Sequence, residues 1–599
     1  GMNLSLHTHY NYEQPFADVM KSASAWLTSN ARWVSGGVNA WDTRLASSLS
    51  YDSNGYVISA IPFWRNGVED SQIVKALIHR DIEGTYQSGD YVCFYEGDGR
   101  ISFSFDAVVT GRSAGRVTLR VANPTNAGIL MTIERNNPQN PLHNIRLVHI
   151  SRATSYRTNP FTEEFINKLR PFPVLRFMQW AKTNDNPATS WDERRPTTFY
   201  TQASNAHTGG VSWEYMFQLC NVTRKDGWIC LPHNADSAYI ASLAALARRE
   251  LDTTLRLYLE YSNEVWNGIF PQRNWVEQNA PASLNSPQKY AYCFERAFRI
   301  FMREWTGDER RIIRVAATQL DNPWLIRQML TYVPNGTIDA ISPGGYLHLT
   351  NAAYQVLAQK GAAATADDVF ADSRTYMNTP MTGGKARMRE HTQTAAQYNV
   401  KLVLYEAGQH FTSSPFGSSQ PYLPAIYAAQ RDNRMYDLYR EWITFCRDSA
   451  RVDLFCAYSF VRRIESQYGS WGSMNNLYAN PATQPKYRAL QQSSCFISPP
   501  SDYPMDTAIR TSASDDESAA DTHGTVFAYP NPAQGLLTIK LHDISAATVY
   551  TSLGVACMNI LSPAPLTTLD ISSLPNGHYT LMVQNSQGIM YRQSLIIMR

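Results

Sequence analysis

The sequence has few charged residues, few cysteines and no long apolar run, and each shortage excludes a class of protein. Charged side chains make up 17% of the 599 residues and the formal net charge is +2, so we expect neither a nucleic-acid partner nor an anionic membrane surface. No stretch of about 18 apolar residues occurs, so no transmembrane segment is expected. With 44% hydrophobic residues, the composition is that of a globular protein.

The eight cysteines are too few for a fold held together by disulfides. Cys456 lies in an apolar run and is predicted to be a small core residue. Cys220 and Cys230 either form a disulfide or remain as two buried thiols. No Cys/His spacing indicates zinc, so we predict no metal and no cofactor.

Strand-like and helix-like segments alternate from residue 171 onwards, which is typical of a parallel sheet with covering helices. The seven strands predicted there cover residues 174–178, 228–232, 256–261, 311–316, 340–346, 401–406 and 452–458. An eighth strand is predicted at residues 4–7, with a helix over residues 16–26 after it. The pattern predicts an α/β fold, a (β/α)8 TIM barrel, whose active site lies at the C-terminal strand ends.

Two further regions do not show this alternation of strand-like and helix-like segments. Residues 51–150 contain short β-rich segments divided by turns such as Gly97-Asp98-Gly99, and predict an inserted antiparallel β-sandwich. A stretch rich in Ser, Pro and Asp predicts a linker, and short strands after it predict a small C-terminal β-sandwich. The predicted segments are 1–50 (first strand–helix unit of the barrel), 51–150 (insert), 151–497 (remainder of the barrel), 498–525 (linker) and 526–599 (C-terminal domain).

Two glutamates end predicted barrel strands. Glu264 follows the apolar segment Leu257-Tyr258-Leu259, and Glu406 follows Leu402-Val403-Leu404-Tyr405. Hydrolysis of a glycosidic bond requires two carboxyl groups on either side of the anomeric carbon. Because these strands are the fourth and the seventh, both carboxylates are predicted to enter one cleft. A salt-bridge role for each glutamate is the structural alternative.

The Asn263-Glu264 pair on strand four and Glu406 on strand seven resemble the clan A glycoside hydrolases. The closest resemblance is to secreted bacterial barrel proteins that carry the string Tyr-Ser-Asn-Glu-Val-Trp-Asn. It implies a retaining hydrolase of a β-linked glycan, with Glu264 as acid/base and Glu406 as nucleophile. It also implies that Asn263 binds the sugar 2-hydroxyl.

Other strand-end residues match the clan pattern less closely. The resemblance implies that Arg176 keeps the nucleophile ionised, that Tyr346 donates a hydrogen bond to it, and that Trp471 stacks on a sugar. Further candidates for binding the substrate come from residue type and position alone, and are His233, Trp180 and Trp266.

Two other functions compete with this interpretation. His7-Thr8-His9 after the first strand resembles a metal-ligand pair of amidohydrolase barrels, but the remaining ligands of such a site are missing. The stronger alternative is a cell-surface protein that binds polysaccharide without cleaving it, because an intact carboxylate pair does not establish turnover. In either case the expected partner is a carbohydrate, and we expect a monomer.

The last 75 or so residues carry Tyr529-Pro530-Asn531-Pro532 and, later, Leu574-Pro575-Asn576-Gly577-His578-Tyr579. These motifs resemble the C-terminal sorting domain of the type IX (Por) secretion system. The resemblance implies a partnership with that machinery, export through the periplasm, and release or anchoring at the cell surface. It further implies that a signal peptide precedes Gly1. A glycan-binding sandwich that stays on the mature protein is the alternative.

Overall fold

The structure is a computed structural model. It describes residues 1–30, 41–64, 71–206 and 209–493, and, in the C-terminal region, residues 527–529, 536–540, 544–551, 556–561, 568–574, 577–585 and 590–597. The predicted linker at 498–525 lies outside the described residues.

The chain starts with strand β1 (Met2–Asn3) and then forms two antiparallel sheets before it returns to the barrel. One sheet has the order β2-β4-β9-β6 with β3 paired to β4, and the other has the order β10-β5-β8-β7. Their strands are β2 (Leu27–Asn30), β3 (Phe63–Trp64), β4 (Ser71–Ile78), β5 (Gly89–Glu96), β6 (Gly99–Phe105), β7 (Ala107–Ser113), β8 (Arg116–Val121), β9 (Ile129–Asn136) and β10 (His143–His149).

The helix predicted over residues 16–26 is wrong. The structure has a single 3-10 turn there, at Val19–Ser22, and the chain then pairs as β2 with β4 of the inserted sheet. Nearly all of residues 16–26 are buried, and Asp18 accepts hydrogen bonds from the backbone of Met20 and Leu147. Contacts with the insert on several sides therefore override the helical periodicity of this segment.

The remaining large sheet is a closed barrel of eight parallel strand positions, as predicted. The pairing runs from β1 through β11–β15, and the contact of β15 with β17 closes the barrel. The sixth position is divided at Gly344 into β15 and β16. The strands after β1 are β11 (Val174–Arg176), β12 (Asp226–Leu231), β13 (Leu257–Tyr261), β14 (Ile312–Thr318), β15 (Ala340–Pro343), β16 (Gly345–Leu347), β17 (Lys401–Gln409) and β18 (Leu454–Ala457).

Helices cover the outside of the barrel. In α5, Asn285 and Gln288 form a capping box, and buried residues recur every three or four positions from Tyr290 to Phe301. The helices are α1 (Glu163–Leu169), α2 (Trp213–Thr223), α3 (Ser237–Glu250), α4 (Pro271–Asn279), α5 (Ser286–Arg303), α6 (Pro323–Tyr332), α7 (Asn351–Lys360), α8 (Ala366–Asp372), α9 (Thr375–Asn378), α10 (Gly384–Tyr398), α11 (Leu423–Arg431), α12 (Asn433–Thr444) and α13 (Pro485–Ser493).

Alternate residues of the barrel strands fill the interior of the barrel. A buried cluster there includes Trp228 and Cys230 of β12, Tyr258 of β13 and Tyr405 of β17. Arg176 and Glu260 are also fully buried and occupy the same alternating positions of β11 and β13. The barrel interior therefore contains charge directly beneath the C-terminal strand ends.

The described C-terminal residues form two antiparallel sheets, ordered β19-β20-β23 and β22-β21-β24-β25. Apolar residues from both sheets share one buried cluster, including Leu537 and Leu581. The strands are β19 (Phe527–Tyr529), β20 (Leu536–Lys540), β21 (Ile544–Thr551), β22 (Ala556–Leu561), β23 (Thr568–Asp570), β24 (Gly577–Asn585) and β25 (Met590–Ile597).

Two expectations from the composition can be compared with the described residues. Cys220 and Cys230 are both buried free thiols, so of the two alternatives the structure has the unpaired one. None of the helices in the described part of the chain is both long enough and apolar enough to cross a bilayer.

Candidate active site

A cleft of about 630 Å³ opens at the C-terminal ends of the barrel strands. Residues after β11, β13 and β14 form one part of its wall, and residues of β16, β17 and the segment after β18 form the rest. The predicted residues that line it are Asn263, Glu264, Trp266, Tyr346, Glu406 and Trp471. The structure therefore brings both predicted glutamates into one cleft, on the fourth and seventh strand positions.

Glu264 is held by two donors. The Tyr405 hydroxyl donates to its Oε1 at 2.8 Å, and Nδ2 of Asn267 donates to its Oε2 at 3.0 Å. Its φ is +44° and that of Ser262 is +59°, a left-handed conformation that non-glycine residues rarely adopt. Such conformations are sustained only where the surroundings impose them, and they concentrate at functional sites.

Glu406 is buried and is also held by two donors. Nη1 of Arg176 donates to its Oε1 at 2.9 Å, and the Tyr346 hydroxyl donates to its Oε2 at 2.7 Å. Burial raises the pKa of Glu406 to about 7, and the charge of Glu264 adds to the increase, whereas Arg176 and Tyr346 oppose it. Glu264 is thus close enough for its charge to act on Glu406.

Glu406 does not end its strand, because β17 continues to Gln409. The pairing of β17 with β18 shifts register between Leu404 and Ala407. In a regular strand neighbouring side chains point to opposite faces, and an irregularity of this kind reorients them. The adjacent residues Tyr405 and Glu406 therefore both line the cleft.

Arg176 connects the nucleophile candidate to the rest of the site. Its guanidinium is fully buried and also donates to Oδ1 of Asn263 at 2.9 Å and to Oδ1 of Asn3 at 2.9 Å. Asn263 in turn donates through Nδ2 to Oδ1 of Asn184 at 3.1 Å, which leaves its second amide hydrogen for another acceptor.

Aromatic side chains form part of the cleft lining, here called the aromatic wall. Trp471 is half-buried, and its ring lies 5.7 Å from those of Tyr458 and His410. Its indole N–H has no hydrogen-bond partner within the described part of the chain. Trp266 packs edge-on against Tyr405 with 6.0 Å between ring centroids.

Two of the predicted substrate-binding residues lie elsewhere. Trp180 is 1% exposed and packs against Phe16, Phe165 and Phe177 beneath the barrel rim, so no ligand can reach it. His233 is also buried, against Trp275, and does not line the cleft. An aromatic residue near a strand end is as well suited to the rim core as to a sugar, and sequence position alone did not separate the two roles.

Several cleft residues were missed by the sequence analysis. Tyr405 is on this side only because of the register shift, and no sequence signal marks that shift. Asn267 was visible in the Glu264 motif and could have been singled out. The aromatic wall also includes His348 and His410, whose rings lie 5.1 Å apart; burial lowers their pKa values to about 4 and about 3.

The histidines after β1 are engaged by protein atoms. The His7 ring nitrogens lie 2.9 Å from the Lys21 carbonyl oxygen and 3.3 Å from Nδ2 of Asn11. Nδ1 of His9 lies 2.9 Å from Nδ2 of Asn205. Among the described residues, no group of three or more His, Cys, Asp or Glu side chains is arranged to hold a metal ion.

Comparison with known protein families identifies the family of one segment of the chain. Residues 527–598 match the secretion system C-terminal sorting domain. Both C-terminal motifs predicted from the sequence fall within this sorting domain. The comparison with curated proteins gave no match.

Solved structures with related folds are distant in sequence. A modular endo-β-1,4-mannanase of glycoside hydrolase family 26 from Cellulomonas fimi is 11% identical, with a TM-score of 0.32, over 74% of this chain and 92% of its own. Bacteroides uniformis β-glucuronidase 2 is 9% identical, with a TM-score of 0.30, over 88% of this chain and 59% of its own. A Bacteroidetes-affiliated GH5 cellulase is 9% identical, with a TM-score of 0.30, over 58% of this chain and 85% of its own.

Proposed function

We propose that this protein is an exported glycoside hydrolase that cleaves an uncharged, β-linked glycan with retention of anomeric configuration. The observation that carries the proposal is the paired arrangement in the cleft. Glu406 is held between Arg176 and Tyr346, and Glu264 is held between Tyr405 and Asn267. Two carboxyl groups with different partners suit two different roles.

The nucleophile is Glu406. The hydrogen bonds from Arg176 and Tyr346 stabilise its ionised form, which is the form that attacks the anomeric carbon. Glu264 is more accessible and receives no bond from a cation among the described residues, so it can carry the proton for the leaving oxygen. In the second step Glu264 takes a proton from water, and the water displaces Glu406 from the sugar.

Asn263 and the aromatic wall position the sugar. Among the described residues the Asn263 amide nitrogen donates only to Asn184, and its second hydrogen suits the 2-hydroxyl, a contact that strengthens in the transition state of such reactions. Trp471 lines the cleft, and its ring offers a flat apolar face to a sugar. The β linkage is inferred from the resemblance of the Asn-Glu pair and Glu406 to clan A.

The charges of the cleft support an uncharged substrate. Its described lining residues include the carboxylates of Glu264, Glu406 and Asp321 but no Lys or Arg side chain. His348 and His410 are neutral at pH 7 because burial lowers their pKa values. A uronate or sulfate on the sugar would therefore meet the negative charge of these carboxylates, and the described lining supplies no cation to pair with it.

The test is an assay on neutral β-linked polysaccharides, with carboxylated glycans of the same linkage as the comparison. We expect turnover of a neutral glycan by the full chain and loss of several orders of magnitude in Glu264→Gln and in Glu406→Gln. Glu163→Gln is the matched control, because Glu163 is exposed on α1, outside the cleft. Product anomers followed by NMR should first appear in the substrate's configuration.

Two results would count against this function. Activity close to that of the parent in either cleft variant contradicts the assigned roles. Tight binding of a glycan without any cleavage, unchanged in both variants, supports the polysaccharide-binding protein instead.

Export is the second part of the proposal. The sorting domain at residues 527–598 supports recognition by the type IX secretion machinery and delivery to the cell surface or beyond. We infer a linker at 498–525 between the barrel and the sorting domain, as the sequence suggests.

A further inference from the structure

The guanidinium of Arg176 is shared between two carboxylates, only one of which lines the cleft. Nε and Nη2 donate to Oε2 of Glu260 at 3.1 and 2.9 Å, whereas Glu406 receives a single bond from Nη1. The other two N–H groups donate to Asn3 and Asn263, so all five are engaged. Glu260 thus receives two hydrogen bonds from the guanidinium, whereas Glu406 receives one.

Glu260 is fully buried in the barrel interior, four residues before Glu264. Besides Arg176, its Oε2 accepts from Nε1 of Trp228 at 2.9 Å and from Sγ of Cys230 at 3.3 Å. Its Oε1 has no hydrogen-bond partner within the described part of the chain. Four donors directed at one oxygen, two of them on a cation, favour a carboxylate over a carboxylic acid. They oppose the effect of burial, which raises the pKa of Glu260.

Arg176 is the only cation that bonds to either glutamate among the described residues. Ionised Glu260 offsets the charge of Arg176, so less of that charge is left to stabilise ionised Glu406. The other titratable groups that act on the two glutamates or are acted on by them are Cys230 on β12, Glu264 after β13, Tyr290 on α5, Tyr346 on β16, Tyr405 on β17, Cys456 on β18 and Tyr458 after β18.

We propose that Glu260 is a positioning residue that sets the proton affinity of Glu406 by holding most of the charge of Arg176. The inference rests on the proposed function, in which Glu406 attacks as a carboxylate. A carboxylate of higher proton affinity is the stronger nucleophile, but it ionises closer to neutral pH. Glu260 touches no substrate and acts only through Arg176.

The first experiment measures kcat/KM against pH for the full chain and for Glu260→Gln. Without the competing charge, Arg176 stabilises ionised Glu406 more strongly. The acid limb of the profile, in which kcat/KM rises as Glu406 ionises, should therefore move to lower pH by about 1 unit. Trp228→Phe removes one donor from ionised Glu260, so more of the Glu260 charge is left to draw on Arg176. The limb should therefore move in the opposite direction, to higher pH, by less. Tyr258→Phe is the packing control, since Tyr258 stacks on Trp228 at 5.2 Å in the same interior cluster.

A second experiment needs no substrate. Burial raises the pKa of Glu406 from its ordinary value of 4.5 to about 7 in the folded chain. Its ionisation therefore lowers the free energy of unfolding as pH rises across that window. Glu406→Gln lacks this loss. The difference in free energy of unfolding between this variant and the parent should therefore change with pH up to the pKa of Glu406 in the folded chain and be constant above it. In the Glu260→Gln background, the difference should level off at lower pH.

The outcomes separate this inference from the proposed function. The role of Glu260 is overturned if Glu260→Gln changes neither the acid limb of kcat/KM nor the pH at which the stability difference becomes constant (the levelling pH). This holds whatever the substrate. A levelling pH that moves in a chain that cleaves no glycan upholds the role and rejects the hydrolase. If Glu260→Gln does not fold, the limb and the stability difference are measured in Trp228→Phe, and the absence of a shift to higher pH there overturns the inference.

Discussion

Glu406 is subject to opposing influences of its surroundings. Burial and the charge of Glu264 favour its protonated form, whereas Arg176 and Tyr346 favour the carboxylate. Because the pKa of Glu406 is close to 7, removal of a single hydrogen bond should change the ionisation state of this proposed nucleophile under ordinary assay conditions.

Tyr346→Phe removes one of these bonds. The Tyr346 hydroxyl donates to Oε2 of Glu406 at 2.7 Å, and its loss destabilises the carboxylate. We expect the pKa of Glu406 to rise, the acid limb of kcat/KM to move to higher pH, and activity at pH 7 to fall by about tenfold or more. The direction is opposite to that expected for Glu260→Gln, so a pH–rate profile of both variants provides an internal comparison. A limb that moves down in Tyr346→Phe contradicts the role of this hydroxyl.

At the scale of the element, the irregular segment of β17 has a function of its own. The register shift between Leu404 and Ala407 lets Tyr405 reach Glu264 while Glu406 faces the same cleft. One strand thus supplies the proposed nucleophile and a hydrogen bond to the proposed acid/base group. This arrangement connects the two carboxylates through two successive residues.

Tyr405→Phe tests that arrangement. The hydroxyl donates to Oε1 of Glu264 at 2.8 Å, so its loss should disturb the acid/base group and leave the Arg176–Glu406 contact intact. We expect kcat to fall most for substrates with poor leaving groups, which need protonation, and least for activated aryl glycosides. The ratio of the two rates measures the effect. An equal loss on both kinds of substrate would place the role of Tyr405 outside proton transfer.

Much of the secondary structure of the barrel is predictable from the sequence, because buried parallel strands consist of short apolar runs. The apolar run before Glu264 and the run that includes Glu406 place both residues at the correct strand positions. Residues 16–26 were mispredicted because helical periodicity does not reveal that the segment is buried against an inserted sheet. The register shift in β17 and the buried position of Glu260 depend on neighbouring strands, and one sequence does not contain that information.

At the scale of the whole molecule, the barrel and the sorting domain have separate cores. The buried residues of the barrel and its inserted sheets form clusters that contain no residue of the described C-terminal strands, whose own cluster includes Leu537, Val549 and Leu581. A cluster that is complete within one segment favours independent folding of that segment. The two functions proposed for the chain should therefore be separable.

Removal of residues 527–599 tests this separation. In a host with the type IX machinery, we expect the truncated chain to accumulate in the periplasm, whereas the full chain reaches the cell surface or the medium. Cell fractionation with an antibody to the barrel measures the distribution, and the purified truncated chain should keep its kcat/KM on a neutral glycan within about twofold.

A matched control is full-length Glu406→Gln, which should be exported normally without activity. Normal export of the truncated chain would reject the sorting role. Loss of activity together with a lower midpoint of thermal unfolding would instead show that the C-terminal domain stabilises the barrel.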